Sequence, residues 1–142
     1  MPSDTFSHTT TVGVPPRAVD AALQDPATWE GLGPIEEVGD AAHDGDTLMS
    51  FRWRARAAGR TWEGTALRTA GEQGRSVTLD LDSPEIGGAI TIDLEPVGSG
   101  SGLTVTLHAR SKGLLAGMFW GVVSDAIGSG LPRQVDEFGD RF

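Results

Sequence analysis

Apolar and polar residues alternate with period two through the middle of this chain, and a spacing of three and four takes over at its end. The stretch "TLMSFRWRARA" puts Met49, Phe51, Trp53 and Ala55 on one side, and Ser50, Arg52, Arg54 and Arg56 on the other. That is the pattern of a half-buried strand. "RTWEGTALRTA" follows directly after Ala58-Gly59. A two-residue hairpin turn there sets Ala55 opposite Trp62, Trp53 opposite Gly64 and Phe51 opposite Ala66. Each large residue then meets a small one, and the same register sets Arg54 opposite Glu63 on the other face. Trp53 beside Gly64 is expected to leave a shaped space.

The same alternation predicts a strand over Thr5–Val14, with Phe6, Val12 and Val14 in one set, and three late strands. The late strands turn Val77, Leu79 and Leu81, then Ile90, Ile92 and Leu94, then Leu103, Val105, Leu107 and Ala109 inward. The opposite faces carry Thr, Asp, Glu, His108 and Arg110, so these are antiparallel strands with one face in water. Between the first strand and the hairpin, Pro15 and Pro16 suit a helix start, with Val19 and Leu23 four apart on one face. "PATWEGLG" predicts a second short helix closed by Gly31 or Gly33. "PIEEVGDAAHDGD" predicts a weak strand ending in a polar turn that holds His43. The links "AGEQG", "SPEIGG" and "VGSGSG" have hairpin length.

At the end, Trp120, Val123, Ile127, Leu131, Val135, Phe138 and Phe142 keep helical spacing straight through a Gly-Pro region. This predicts one long helix, bent where Pro132 crowds the carbonyl of Gly128. Leu115, Phe119, Val122 and Ala126 form a second apolar stripe, which needs a ligand, a partner or covering loops. The apolar run Leu114–Val123 contains Gly117 and Gly121 and is far short of the ~20 residues of a membrane span.

The 142 residues fit one domain, 1–142, with a real core. A formal charge of −9 argues against nucleic acid or an anionic membrane as partner. No cysteine is present, which removes disulfides, thiolate nucleophiles and Cys metal sites. "MPSDTFSH" lacks the basic and apolar regions of a signal peptide, so a cytoplasmic location is expected. The chain stops at Phe142 on a helix stripe, so a further tail stays open.

The order strand, two short helices, six strands, long helix resembles the α+β helix-grip fold of the START/SRPBCC superfamily. That superfamily includes the major birch pollen allergen, polyketide cyclases and lipid-transfer domains. "VPPRAVDAALQDPATWEGLGPIEEV" (Val14–Val38) is similar to the family's opening. "GGAITIDLEPVGSGSGLTVTLHARSKGLLAGMF" (Gly87–Phe119) resembles the branch that contains an accessory subunit of carbon monoxide dehydrogenase. A departure is that Gly33 precedes Pro34, where relatives in that branch carry a Leu-Pro-Gly turn. The resemblance implies a curved antiparallel sheet of about seven strands wrapped around a long kinked C-terminal helix. It also implies a cavity between them for an apolar or amphipathic small molecule: a lipid, a quinone or a polyketide-like chain.

The candidate ligand-binding residues are Met49, Phe51, Trp53, Trp62, Arg68, Leu79, Ile92, Leu107, Phe119 and Val123. Arg68 shares the Trp53–Trp62 face at the sheet end, opposite Met49, where a cation could meet a ligand carboxylate or quinone oxygen. Its bland alternative is a side chain that reaches out to solvent. No catalytic constellation is visible: His8, His43 and His108 are not at ligand spacing, and no G-x-S-x-G occurs. No metal or other cofactor is expected. Asp44 and Asp46 in "HDGD" read as a solvated turn, because the other calcium ligands are missing. The stripe Arg52, Arg54, Arg56 reads as pairing with neighbours such as Glu63.

Three readings follow. The first is a non-catalytic binder of a small apolar ligand. The second is a polyketide cyclase or aromatase, for which His8, Glu63 and Arg68 are the only ionisable nominees. The third is an accessory protein that docks a protein partner, a membrane surface or a second copy through Leu114–Val123.

Overall fold

In the computed structural model, which describes residues 2–57 and 59–142, the alternating segments form seven strands. They are β1 (Ser3–Val12), β2 (Glu37–Asp44), β3 (Thr47–Ala57), β4 (Arg60–Glu72), β5 (Ser76–Asp82), β6 (Ile86–Val97) and β7 (Gly100–Ser111). All neighbours are antiparallel, in the order β1-β7-β6-β5-β4-β3-β2. Between β1 and β2 lie α1 (Pro16–Ala22) and a 3₁₀ turn (Pro26–Trp29). After β7 come α2 (Leu114–Met118), α3 (Trp120–Gly128) and α4 (Leu131–Gly139). This is the expected helix-grip architecture, with the sheet folded around the C-terminal helices.

The β3–β4 register is the one the large-to-small pairing predicts: Ala55 faces Trp62, Trp53 faces Gly64 and Phe51 faces Ala66. On the outer face the Arg54 guanidinium donates to Glu63 at 2.8 Å. The pairing closes at Ala57 and Arg60, with Gly59 at φ 73°. That conformation suits glycine. The other turn residue, Ala58, lies outside the described residues.

One phase change was not predicted. The β2–β3 pairing shifts register between Gly39 and Ala42 and again between Ala42 and His43. Beyond the shift Leu48 is buried, while Met49 is only half-buried. His43 therefore belongs to β2 rather than to the turn, and its Nε2 meets the carbonyl of Gln24 at 2.8 Å. The paired β3–β4 positions begin at Ser50 and Leu67, one step short of Met49 and Arg68.

The expected long helix is a bent rod of 20 residues in two segments, α3 and α4. The bend falls at Ser129-Gly130. Pro132 does not crowd a continuous helix but sits in the first turn of α4, where its missing N–H is not needed. Gly128 has a different task from easing a kink: the Phe6 ring packs where its Cβ would be. Val123, Ile127, Leu131, Val135 and Phe138 are all buried, and Trp120 and Phe142 pack against that core. Both segments are also tied to β1. Asp4 Oδ2 accepts from Trp120 Nε1 and Ser124 Oγ, and His8 Nε2 lies 3.0 Å from Asp136 Oδ1. Arg141 donates to the carbonyls of Thr28 and Glu30, closing the chain end over the 3₁₀ turn.

Candidate functional site

The inner face of the sheet is apolar almost throughout. Val77, Leu79 and Leu81 from β5, Ile90 and Ile92 from β6, and Leu103, Val105 and Leu107 from β7 are buried beneath the helices. Phe51 lies against Trp29, with ring centroids 6.4 Å apart. Burial of this much apolar side chain, at roughly 25 cal/mol per Å² of area removed from water, is what holds the helices on the sheet.

Trp53 is the exception within this surface. The residue is 3% exposed, and its Nε1–H has no hydrogen-bond partner. A buried donor left unmet costs about 1–3 kcal/mol, so such a group asks for an explanation. Gly64 does not leave the expected space beside Trp53. A methyl group at Gly64 would lie 2.6 Å from Trp53 Cζ2 and would strike the carbonyl oxygen of Asp82. The glycine is a seat for the indole, filled by the ring itself.

Among the clefts of the described residues, two lie toward opposite ends of the β3–β4 hairpin. One, of about 550 Å³, is lined by Arg60, Thr61, Trp62, Glu63, Pro84 and Glu85. The loop beside it is latched to the approach to α2, because the Glu85 carbonyl accepts from the backbone N–H of Lys112 at 2.8 Å and of Gly113 at 3.2 Å. The other, of about 600 Å³, lies under α1 and includes Arg17, Asp20, Asp46, Arg68 and Gln73.

Of the ten residues predicted from sequence, Phe51, Trp53, Trp62, Leu79, Ile92, Leu107 and Val123 come together in the buried interior. Met49 is half-buried at the start of β3. Arg68 is half-buried and opens on the cleft under α1. Phe119 is 55% exposed on the outer surface, beside the exposed Leu114, Met118 and Val122. The side chain of Leu115, from the same stripe, lies outside the described residues. Arg17 and Asp20 were not singled out. Asp20 stands three residues before the buried Leu23, on the flank that helical spacing brings inward, and that was the available signal.

The ionisable nominees for catalysis are dispersed. His8 is bonded to Asp136, Glu63 is bonded to Arg54 on the outer face, and Arg68 is at the far cleft. Two members of the outer arginine stripe are met by carboxylates: Arg52 approaches Asp40 at 4.0 Å, and Arg54 approaches Glu37 at 3.5 Å as well as Glu63. His108 Nδ1 meets Thr5 Oγ1 on the solvent face of β7. Among the described residues no group of three or more His, Cys, Asp or Glu could hold a metal ion, and no helix is long and apolar enough to cross a membrane.

A family model described as polyketide cyclase / dehydrase and lipid transport matches residues 3–141. No curated protein matches the sequence. Among solved structures, TTHA0849 from Thermus thermophilus is similar with a TM-score of 0.76 at 15% identity, covering 97% of this chain and 96% of that one. Zhui aromatase/cyclase from Streptomyces sp. R1128 is similar with a TM-score of 0.64 at 16% identity, covering 99% and 86%. A START superfamily protein from Mycobacterium smegmatis gives 0.60 at 13% identity, covering 92% and 98%. At these identities the likeness is one of fold.

Proposed function

We propose that this chain, which belongs to the polyketide cyclase / dehydrase and lipid transport family, binds an apolar or amphipathic small molecule between its sheet and its C-terminal helices. The family and the structural neighbours fit a fold that binds hydrophobic ligands. The observation that carries the reading further is the orphaned indole N–H of Trp53 within an otherwise apolar interior. A ligand carbonyl or hydroxyl oxygen placed there would relieve its desolvation and fix the ligand's orientation. The buried members of the candidate set supply the apolar wall, and the cleft beside Trp62 supplies the mouth. Opening that mouth requires the Glu85 carbonyl to release the N–H groups of Lys112 and Gly113.

A lipid, a quinone and a polyketide-like chain all satisfy these requirements. The test uses a matched pair, 1,4-naphthoquinone and naphthalene. The chain has no cysteine to consume the quinone by thiol addition. Trp53→Phe should weaken quinone binding about tenfold, the equivalent of one hydrogen bond, and leave naphthalene binding unchanged. Equal effects on both probes would reject Trp53 as the polar anchor. Native mass spectrometry before and after mild denaturation would show any co-purifying molecule.

A second reading has its own observation. Leu114, Met118, Phe119 and Val122 are all more than half exposed, on α2, its junction with α3 and the first turn of α3. Contiguous exposed apolar side chains favour docking of a protein partner or a second copy through Leu114–Val123.

A further inference from the structure

The cleft under α1 is unlike the apolar interior. Its walls come from α1 and the residue after its cap (Arg17, Asp20, Ala21, Gln24), from the β2–β3 turn and the start of β3 (Asp46, Thr47), and from β4 and its turn (Arg68, Gln73). Asp20 is 6% exposed, and its Oδ1 has no hydrogen-bond partner. A buried carboxyl oxygen without a donor is costly. Among the described residues, neither Arg17 nor Arg68 has an ion pair, although the chain holds 20 acidic residues against 11 basic ones.

The walls are held in place. Gln24 donates to the Asp20 carbonyl at 3.0 Å and accepts from Leu48 N at 2.8 Å, which joins α1 to β3. Arg68 lies just before the register shift in the β4–β5 pairing, and its guanidinium rests where a side chain on Gly71 would stand. Both arginines line one space about 600 Å³ in volume, with Asp20, whose Oδ1 is unpartnered, on the same wall as Arg17. What is missing is a molecule that brings acceptors to two guanidiniums and a donor to one buried carboxyl oxygen.

We infer that this cleft is a second binding site, for a small dicarboxylic acid that carries a hydrogen-bond donor, hydroxyl or ammonium, on its carbon chain. A guanidinium matches a carboxylate with two parallel hydrogen bonds, so two arginines suit two carboxylates. Asp20 Oδ1 takes the donor, and it rejects analogues that lack one by leaving a buried acceptor unpaired. The site does not rest on the apolar-ligand reading and stands or falls apart from it.

The test titrates the intact chain with L-malate, L-aspartate, succinate and inorganic phosphate by calorimetry, with amide NMR to locate the response. Malate or aspartate should bind and shift resonances in segments 17–24 and 68–73. Which of the two binds tighter identifies the donor as hydroxyl or ammonium. Succinate should bind at least about tenfold more weakly, since it lacks one hydrogen bond to a buried group. Removing the donor from the ligand leaves the protein intact, so folding does not confuse the result. Arg17→Gln and Arg68→Gln should each weaken binding about tenfold or more at an unchanged thermal midpoint. No binding by either donor-bearing acid at millimolar concentration overturns the proposal. So do succinate binding as tightly, phosphate competing as well as malate, or arginine variants that bind like the parent.

Discussion

The carboxylate of Asp4 accepts the indole N–H of Trp120 at 2.9 Å, and the same oxygen accepts Ser124 Oγ–H at 2.6 Å. One side chain near the start of β1 thus fixes the first two turns of α3. Asp4→Ala should cost about 1–2 kcal/mol, read from urea denaturation, and should shift Trp120 fluorescence to the red. Asp4→Asn keeps an acceptor and should lose less. Equal losses from both variants would mean that the carboxylate's charge carries the contact, and that a neutral acceptor of the same shape cannot replace it.

Gly64 is a position where any side chain should be costly. A Cβ there meets both the Trp53 ring and the backbone oxygen of Asp82 on the neighbouring strand. The ring can shift, but the oxygen belongs to the ladder. Gly64→Ala is expected to lose about 1–3 kcal/mol by denaturant unfolding. A neutral result would place a usable space beside Trp53 after all.

Pro132 tests the joint in the C-terminal rod. At the start of α4 it has no helical hydrogen bond to forfeit, so Pro132→Ala should change stability by less than about 1 kcal/mol. A stabilisation on the order of 3 kcal/mol would instead be the signature of a proline straining a continuous helix.

Val122 is 60% exposed, so Val122→Glu should leave the unfolding free energy within about 0.5 kcal/mol of the parent. If copies associate through Leu114–Val123, the parent's sedimentation coefficient rises with concentration and the variant's does not. A concentration-independent parent would remove the second copy as occupant of this face.

Much of the architecture was legible because two kinds of constraint coincided. In β3–β4, bulk complementarity and the Arg54–Glu63 pair selected the same register, and a one-residue slip would have broken both. In the C-terminal rod, steps of three and four identified the buried side chains from Val123 to Phe138. The same steps could not reveal the bend at Ser129-Gly130, because the joint preserves the phase of the face while ending the hydrogen bonds. The β2 irregularity was equally hidden, and with it the exchange of Met49 for Leu48.

The site was legible less completely. Trp53 opposite Gly64 was readable as a pairing, but a glycine across from an indole signals a void and a filled seat equally well. Phe119 lay on one of two apolar stripes, and spacing alone cannot say which stripe meets the sheet. Asp20 is not legible from sequence because a charged residue in a short helix defaults to solvent, and only its burial in the folded chain reveals otherwise.

The register shifts of β2 also bear on how this protein behaves in a crowd. β2 is an edge strand, and the open side of a sheet is a template on which other chains can aggregate. Here that edge is interrupted between Gly39 and His43, holds Asp40 at φ 51°, and carries the exposed Glu37, Asp40 and Asp44. A strand arriving from another molecule finds no straight ladder to extend and charged side chains along the edge. The irregular pairing of β2 is thus a guard against edge-to-edge polymerisation.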